Sequence, residues 1–290
     1  MKNKSPIILN CFSRGGSNIL WNYFLSHPEV LHPIEETIQI FNTNFRAPRL
    51  EGYKVLLMEN RFVFKQWSFE EIKPVKIRTA KYIDNVLFNK KIKNYIDPEM
   101  KFKTSSSKYT EDEVQNSRLV IKNNNGLVFC TNMFSQIYPD ANFISLVRHP
   151  LPLYESHKRR KTPVAKSIEI FVNYFNKMAF KMITDSKIFE NYHIIKFENL
   201  ISDPLSSLQK LYDWTQLDFS MLEKIRLKSK PFMKPDGSHS TRYPLNTHYW
   251  FEFSEIDRII EPRVNDFQSM QLSNKEKSEL LFLTEEVRNK

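Results

Sequence analysis

Glycine is scarce in this chain, with 5 in 290 residues. Cysteine is scarcer still: the two, Cys11 and Cys130, form no CxxC or Cys/His cluster, and a single pair is no disulfide framework. Zinc sites of the usual spacing are thereby excluded, and buried free thiols are expected. No apolar stretch approaches the length of a membrane span, and Met1 to Asn10 has two lysines but no signal-peptide core. The chain therefore reads as soluble and cytoplasmic. It also lacks an internal repeat, a heptad array and an obvious domain linker, so residues 1–290 are expected to form one domain.

What is present is a globular composition: 41% of residues are hydrophobic, enough to bury a substantial core. Lys and Arg number 43 against 33 Asp and Glu, a formal charge of +10. That excess suits an anionic partner, although a lysine-rich solvated surface has the same composition.

Strands and helices alternate along the chain. Pro6–Phe12, Leu119–Lys122, Asn142–Val147 and His193–Phe197 are short apolar runs of strand type. Asn18–Ser26 carries Ile19, Leu20, Tyr23 and Phe24 at helical spacing, Pro150 sits where a helix can begin, and Pro204–Trp214 again has helical period. This alternation predicts an α/β fold with a central parallel sheet covered by helices on both faces. Ligands of such sheets bind at the carboxyl ends of the strands. The stretch 41–118 differs in character; between Lys81 and Lys108 lie seven lysines and three acids among Tyr, Phe and Ile. It is predicted to be an insertion.

Two of the five glycines stand side by side in Ser13-Arg14-Gly15-Gly16-Ser17-Asn18, between the first strand and the first helix. A strand, a glycine turn and a helix start aim backbone N–H groups and the positive helix end at one point, which is an anion site. The pattern is no Walker A loop, because no lysine follows the second glycine and Asn18 substitutes poorly for a magnesium-binding hydroxyl. A second basic turn, in "FISLVRHPLPLYESH", places Arg148 at a strand end and Ser156 eight residues later inside a helix. Together they can clamp a second phosphate. Taken singly, each turn is equally compatible with a structural turn or a surface ion pair.

With these residues in view, the chain resembles the sulfotransferases that use 3′-phosphoadenosine 5′-phosphosulfate (PAPS), especially the tyrosylprotein and heparan sulfate branch. "CFSRGGSNILWNYFLSHPEV" is similar to that family's 5′-phosphosulfate loop and helix, and "PDANFISLVRHPLPLYESH" to its 3′-phosphate motif. "IIKFENLISDPLSSLQKLYDW" matches the later strand-Glu-x-Leu-helix segment, and "LVIKNN" supplies a lysine 26 residues before Arg148. The four appear in the family's order, over Ile7–Glu36 and Leu119 to about Phe219.

The resemblance implies a P-loop-like sulfotransferase fold with a largely helical, acceptor-side insertion at 41–118. It implies PAPS as sulfuryl donor, its desulfated form PAP (3′-phosphoadenosine 5′-phosphate) as product, and no metal. Gly15, Gly16, Ser17 and Asn18 are then expected to hold the 5′-phosphosulfate, and Arg148 and Ser156 the 3′-phosphate. Arg14 matches the cation beside the bridging oxygen, and Lys122 is expected to assist it; otherwise Lys122 would be a solvated lysine ending a strand. The catalytic base is expected at Glu36, with Glu35 the alternative by an ungapped count, and either could instead be an acid near a helix N-terminus. In "KPDGSHSTRYPLNTHYW", Gly237, Ser238, Ser240 and Arg242 are candidates for a closing loop, with Arg242 taken as a cofactor contact.

The loop departs from the family in Ser13 and Asn18, and Phe197 stands where a tyrosine is common. A small molecule, glycan or peptide fits as acceptor; no aromatic-basic RNA motif is present, and nucleic acid is not expected. Two rival readings are a small-molecule P-loop kinase and a noncatalytic nucleotide-binding protein on the same fold.

Overall fold

The apolar run Ile7–Cys11 forms strand β1, buried at every position, at the centre of a five-stranded sheet. Its neighbours give the spatial order β2 (Val30–Leu31), β3 (Arg118–Asn124), β1, β4 (Asn142–Val147) and β5 (Tyr192–Lys196), all parallel. The computed structural model describes residues 1–42, 49–60, 73–94, 109–229, 231–240, 243–244 and 247–290.

The first helices are α1 (Ser17–Leu25), α2 (Thr37–Ile40), α3 (Leu50–Glu59), α4 (Ile77–Lys93) and α5 (Glu111–Asn116). After β3 come α6 (Thr131–Ile137), α7 (Pro150–Arg159) and α8 (Ile168–Ile188). α9 (Phe197–Ser202) and α10 (Pro204–Thr215) follow β5, and α11 (Ile256–Ile259), α12 (Val264–Met270), α13 (Asn274–Leu283) and α14 (Glu285–Arg288) close the chain. Two small antiparallel pairs lie between α10 and α11: β6 (Ile225–Lys228) with β9 (His248–Phe251), and β7 (Phe232–Met233) with β8 (His239–Ser240). Of 41–118, the described parts hold α3, α4 and α5.

Side chains alternate across a strand, so β1 supplies both faces of the sheet. Ile7, Leu9 and Cys11 pack with Leu20, Tyr23 and Phe24 of α1 and Leu208, Leu211 and Tyr212 of α10. Ile8 packs on the other face with Ile83 and Leu87 of α4 and Met133 and Phe134 of α6. A third cluster joins Phe12 to Leu153 of α7 and Phe171, Phe175 and Met178 of α8. Both cysteines are free and buried, as expected, and burial pushes the Cys11 thiol up to about 12. The expected strands form within one or two residues of their predicted bounds, except that Phe197 opens α9 and is not the end of β5.

At the opposite end of the sheet from the strand carboxyl termini, Arg118 opens β3 as a clasp. Its guanidinium donates to Ser5 O at 2.5 Å and to the Thr215 carbonyl and Asn142 Oδ1. One side chain thus ties the N-terminal segment, β4 and the end of α10 to β3. Replacing it strands three acceptors, and each such loss costs about 1–3 kcal/mol when buried. Arg118→Met is therefore expected to lower the urea midpoint by an amount equivalent to at least ~2 kcal/mol, with no change in ligand binding at the far edge.

Candidate active site

The site grows out of the turn that joins the central strand to α1. Gly15 N–H closes the turn on Phe12 O at 3.0 Å, and Arg14 and Gly16 take left-handed conformations, with φ of 65° and 95°. The next two carbonyls are held from α7 and β4: Ser13 O accepts from His157 Nε2 at 2.9 Å, and Arg14 O from an Arg148 guanidinium nitrogen at 3.0 Å. Because a carbonyl can only accept, the His157 proton sits on Nε2 and Nδ1 faces the Thr162 hydroxyl at 2.8 Å. Burial lowers the His157 value to about 4, so this pin is neutral at pH 7.

With those carbonyls engaged, the N–H groups of Gly16, Ser17 and Asn18 have no acceptor among the described residues. Three convergent free donors at a helix start form an anion cradle. Gly16 is required there twice over. Its φ is left-handed, and a Cβ on it would come within 2.1 Å of Phe197 Cδ2.

On the neighbouring strand, Lys122 pairs with Leu9 of β1 and is 1% exposed. Its Nζ lies 2.8 Å from Asn18 Oδ1, 2.7 Å from Glu36 Oε1, and 4.0 Å from the centre of the Trp21 ring. Burial lowers its pKa below the ordinary 10.5, and the Glu36 carboxylate opposes that shift. Glu36 heads α2, and its second oxygen accepts from Asn124 Nδ2 at 2.7 Å. The adjacent Glu35 faces elsewhere: Lys90 of α4 grips it at 2.7 Å, with Arg49 at 3.6 Å, and it does not line the cavity.

Arg148, after β4, is 6% exposed. Its guanidinium bonds Asn265 Oδ1 at 3.0 and 2.6 Å, also reaches Gln268 Oε1, and stacks 4.4 Å from the Phe197 ring centre. Ser156 lies one helix along and receives Arg14 Nε at 3.4 Å. Arg14 has a left-handed backbone, and its side chain reaches the Ser156 hydroxyl of α7.

These groups surround a cavity of about 340 Å³ whose lining includes Arg14, Gly16, Ser17, Asn18, Glu36, Lys122, Arg148 and Ser156. A second cavity of about 210 Å³, walled by Ile19, Phe197, Leu227, Tyr243, Phe251 and Val264, shares Ile19, Phe197, Pro231 and Val264 with the first. Sequence reasoning missed Asn124, Trp21, Arg159, Arg160, Gln268 and His239. Asn124 was legible, since it lies two residues beyond Lys122 on the same face of β3. Gln268 and His239 come from distant segments without a motif. In the C-terminal loop, Gly237 and Ser238 form a turn and are not among the lining residues; neither is Ser240, and Arg242 lies outside the described residues. No group of His, Cys, Asp and Glu suited to a metal occurs among the described residues, and no described helix is long and apolar enough to cross a membrane.

A parallel sheet in the order 2-3-1-4-5, with a glycine turn leading from its central strand into a helix, defines a P-loop-like α/β protein. The sequence profile of the sulfotransferase family matches residues 6–221, and the chain belongs to that family. Among solved structures it is similar to the sulfotransferase domain of the Synechococcus PCC 7002 olefin synthase, at 16% identity and a TM-score of 0.54, over 99% of this chain and 96% of that one. It is also similar to the sulfotransferase domain from the curacin biosynthetic pathway, at 15% identity and a TM-score of 0.50, over 99% of each chain. No curated protein matches the chain in sequence. The fold is thus a sulfotransferase fold.

Gly16→Ala adds a Cβ where both backbone and ring forbid it, and the combined strain is expected to cost at least ~2 kcal/mol. Urea unfolding measures the loss, and Phe197→Leu in the same chain is expected to restore part of it.

Proposed function

We propose that the protein transfers the sulfuryl group of PAPS to a hydroxyl or amine of an acceptor, releasing PAP, with Glu36 as the base. The observation that carries this reading is the pair of buried Lys122 and half-buried Glu36 at 2.7 Å, set beside the free N–H groups of the glycine turn. A base and a cation in contact fit a reaction that removes a proton from one partner while charge develops on the other.

Each residue then has a physical task. The N–H groups of Gly16, Ser17 and Asn18, with the Ser17 hydroxyl, receive the 5′-phosphosulfate, and Gly15 shapes the turn. The second basic turn, with Arg148 and Ser156, receives the 3′-phosphate. The apolar cavity beside Phe197 suits a flat nucleobase. Lys122 faces the transferring group from β3. When a bound phosphosulfate competes for the Lys122 ammonium, the Glu36 carboxylate is released to accept the acceptor's proton, while Asn124 keeps it oriented. The sulfur–oxygen bond to the 5′-phosphate breaks as the acceptor's bond to sulfur forms, and Lys122 offsets the negative charge gathering on the leaving phosphate. The scheme calls on no metal.

Glu36 is favoured over Glu35 because only Glu36 lines the cavity and touches Lys122. The single domain 1–290 would place 41–118 on the acceptor side, since Arg49 and Lys90 hold the residue beside the base. The cationic surroundings suit an acceptor that is a small molecule, glycan or peptide.

Calorimetric titration with PAP, followed by an acceptor screen with PAPS that monitors PAP release, tests this reading. Binding of PAP without magnesium, and acceptor-dependent release, are the expected results; a strict preference for magnesium-ATP would sink it. In the same assay Glu36→Gln is expected to lower turnover about 10²–10⁴-fold while PAP still binds, and Glu35→Gln to have a much smaller effect.

The pH dependence has a definite sign. Lys122 acts in its protonated form, and burial makes that proton leave below 10.5. The alkaline limb of kcat/KM is therefore expected below that value, and Lys122→Arg, which keeps its charge, should move the limb upward in a pH–rate profile.

A further inference from the structure

Trp21 lies one turn into α1 and is not part of the main cavity's wall, yet it touches the buried cation. The Lys122 ammonium sits 4.0 Å from the centre of its ring. Because Lys122 lines the cavity and Trp21 does not, the indole meets the ammonium from behind the wall. The indole is fixed by packing and not by a hydrogen bond: its Nε1–H is buried and has no acceptor among the described residues. The His32 ring lies against it, with centroids 4.6 Å apart and planes at 67°. His32 Nδ1 donates to the Pro33 carbonyl, and burial lowers its value to about 3, so the ring beside Trp21 is neutral at pH 7.

The three contacts of Lys122 differ in what the reaction asks of them. Glu36 must let go of the ammonium before it can accept a proton, and once protonated it no longer attracts the charge. Asn18 belongs to the glycine turn that receives the phosphosulfate. Of the three, only Trp21 is untouched by the chemistry. An aromatic face attracts an ammonium most strongly where water is excluded, and Lys122 is 1% exposed. The titratable groups around the ammonium are Glu36 from α2, the Cys11 thiol from β1 and Lys228 from β6. The thiol, pushed up to about 12, stays neutral, and Lys228 disfavours the charged form. Neither can replace the carboxylate.

Resting on the sulfotransferase reading above, we infer that Trp21 is a positioning residue for Lys122: its ring face holds the ammonium charged and in place while Glu36 is released to the acceptor. The carboxylate can then be exchanged for the phosphosulfate without leaving a bare buried charge at any stage. The ring also closes one side of the ammonium, which leaves its N–H bonds to Asn18, Glu36 and the cavity. An acid in place of Trp21 would compete with the donor, and an aliphatic side chain would leave the charge uncompensated.

Fluorination of the ring tests this, because fluorine drains the aromatic face of electron density with little change of shape. With no partner on Nε1, the substitution cannot act through a hydrogen bond. PAP affinity is followed from neutral to alkaline pH in protein made with tryptophan, monofluorotryptophan and difluorotryptophan. The chain has four tryptophans, so the series is repeated in the Trp21→Phe variant. Lys122→Arg, which keeps its charge, identifies the part of the profile that Lys122 sets. The ring favours the charged form, so weakening it is expected to move the alkaline loss of affinity to lower pH, stepwise with fluorine content. Trp21→Leu is expected to move it down by about half to one pH unit. In Trp21→Phe the fluorinated series is expected to be flat. If wild-type protein binds PAP but the limb is absent or unmoved by fluorine, or the shift persists in Trp21→Phe, this assignment is overturned and the sulfotransferase reading stands. If wild-type protein binds no PAP, the parent reading fails with it.

Discussion

The ammonium of Lys122 is the constraint around which the site is arranged. A lysine almost wholly removed from water must find compensation within the protein, because an unpaired buried charge is too costly to survive folding. Its three neighbours come from two other elements: Asn18 and Trp21 from α1 and Glu36 from the head of α2. Its own position is fixed by parallel register with β1. Solvating this single charge therefore sets the distance between the glycine turn and the carboxylate, the two parts that the proposed chemistry needs together.

The turn itself is governed by where its carbonyls go. Phe12, Ser13 and Arg14 each have a donor, from Gly15, His157 and Arg148 respectively. Two of those donors lie more than a hundred residues away in sequence. The free N–H groups are thus a by-product of long-range bonding to the opposite side of the peptide planes. Glycine permits the geometry, and α7 and β4 enforce it.

Much of this was legible before any coordinates. The central strands and the helices after β1, β4 and β5 follow from short apolar runs, two prolines and helical spacing, because local pattern and tertiary burial agree there. The glycine turn, Arg148 and Ser156 were legible as spacing, and they line one cavity. Arg14 was harder: a left-handed φ at a non-glycine residue has no sequence signature, yet it decides which side of the cavity the guanidinium enters. Glu35 and Glu36 differ by one residue of phase, and counting cannot show that Lys90 takes the first and Lys122 the second. Asn265 and Gln268 were invisible because their roles depend on contacts across more than a hundred residues, and the small antiparallel pairs because strands of two to four residues carry too little periodicity to announce themselves.

Phe197 occupies a place with consequences beyond packing. Its ring lies against Gly16, stacks with Arg148, and forms a shared wall of the polar and apolar cavities. A ligand that spans both cavities touches one aromatic partition from two sides. Its two halves then cease to be independent: ordering the ring for one half prepares the surface met by the other, so fragments of the ligand bind with less free energy, summed, than the whole. Such coupling lets contacts far from the reacting sulfur contribute to its alignment.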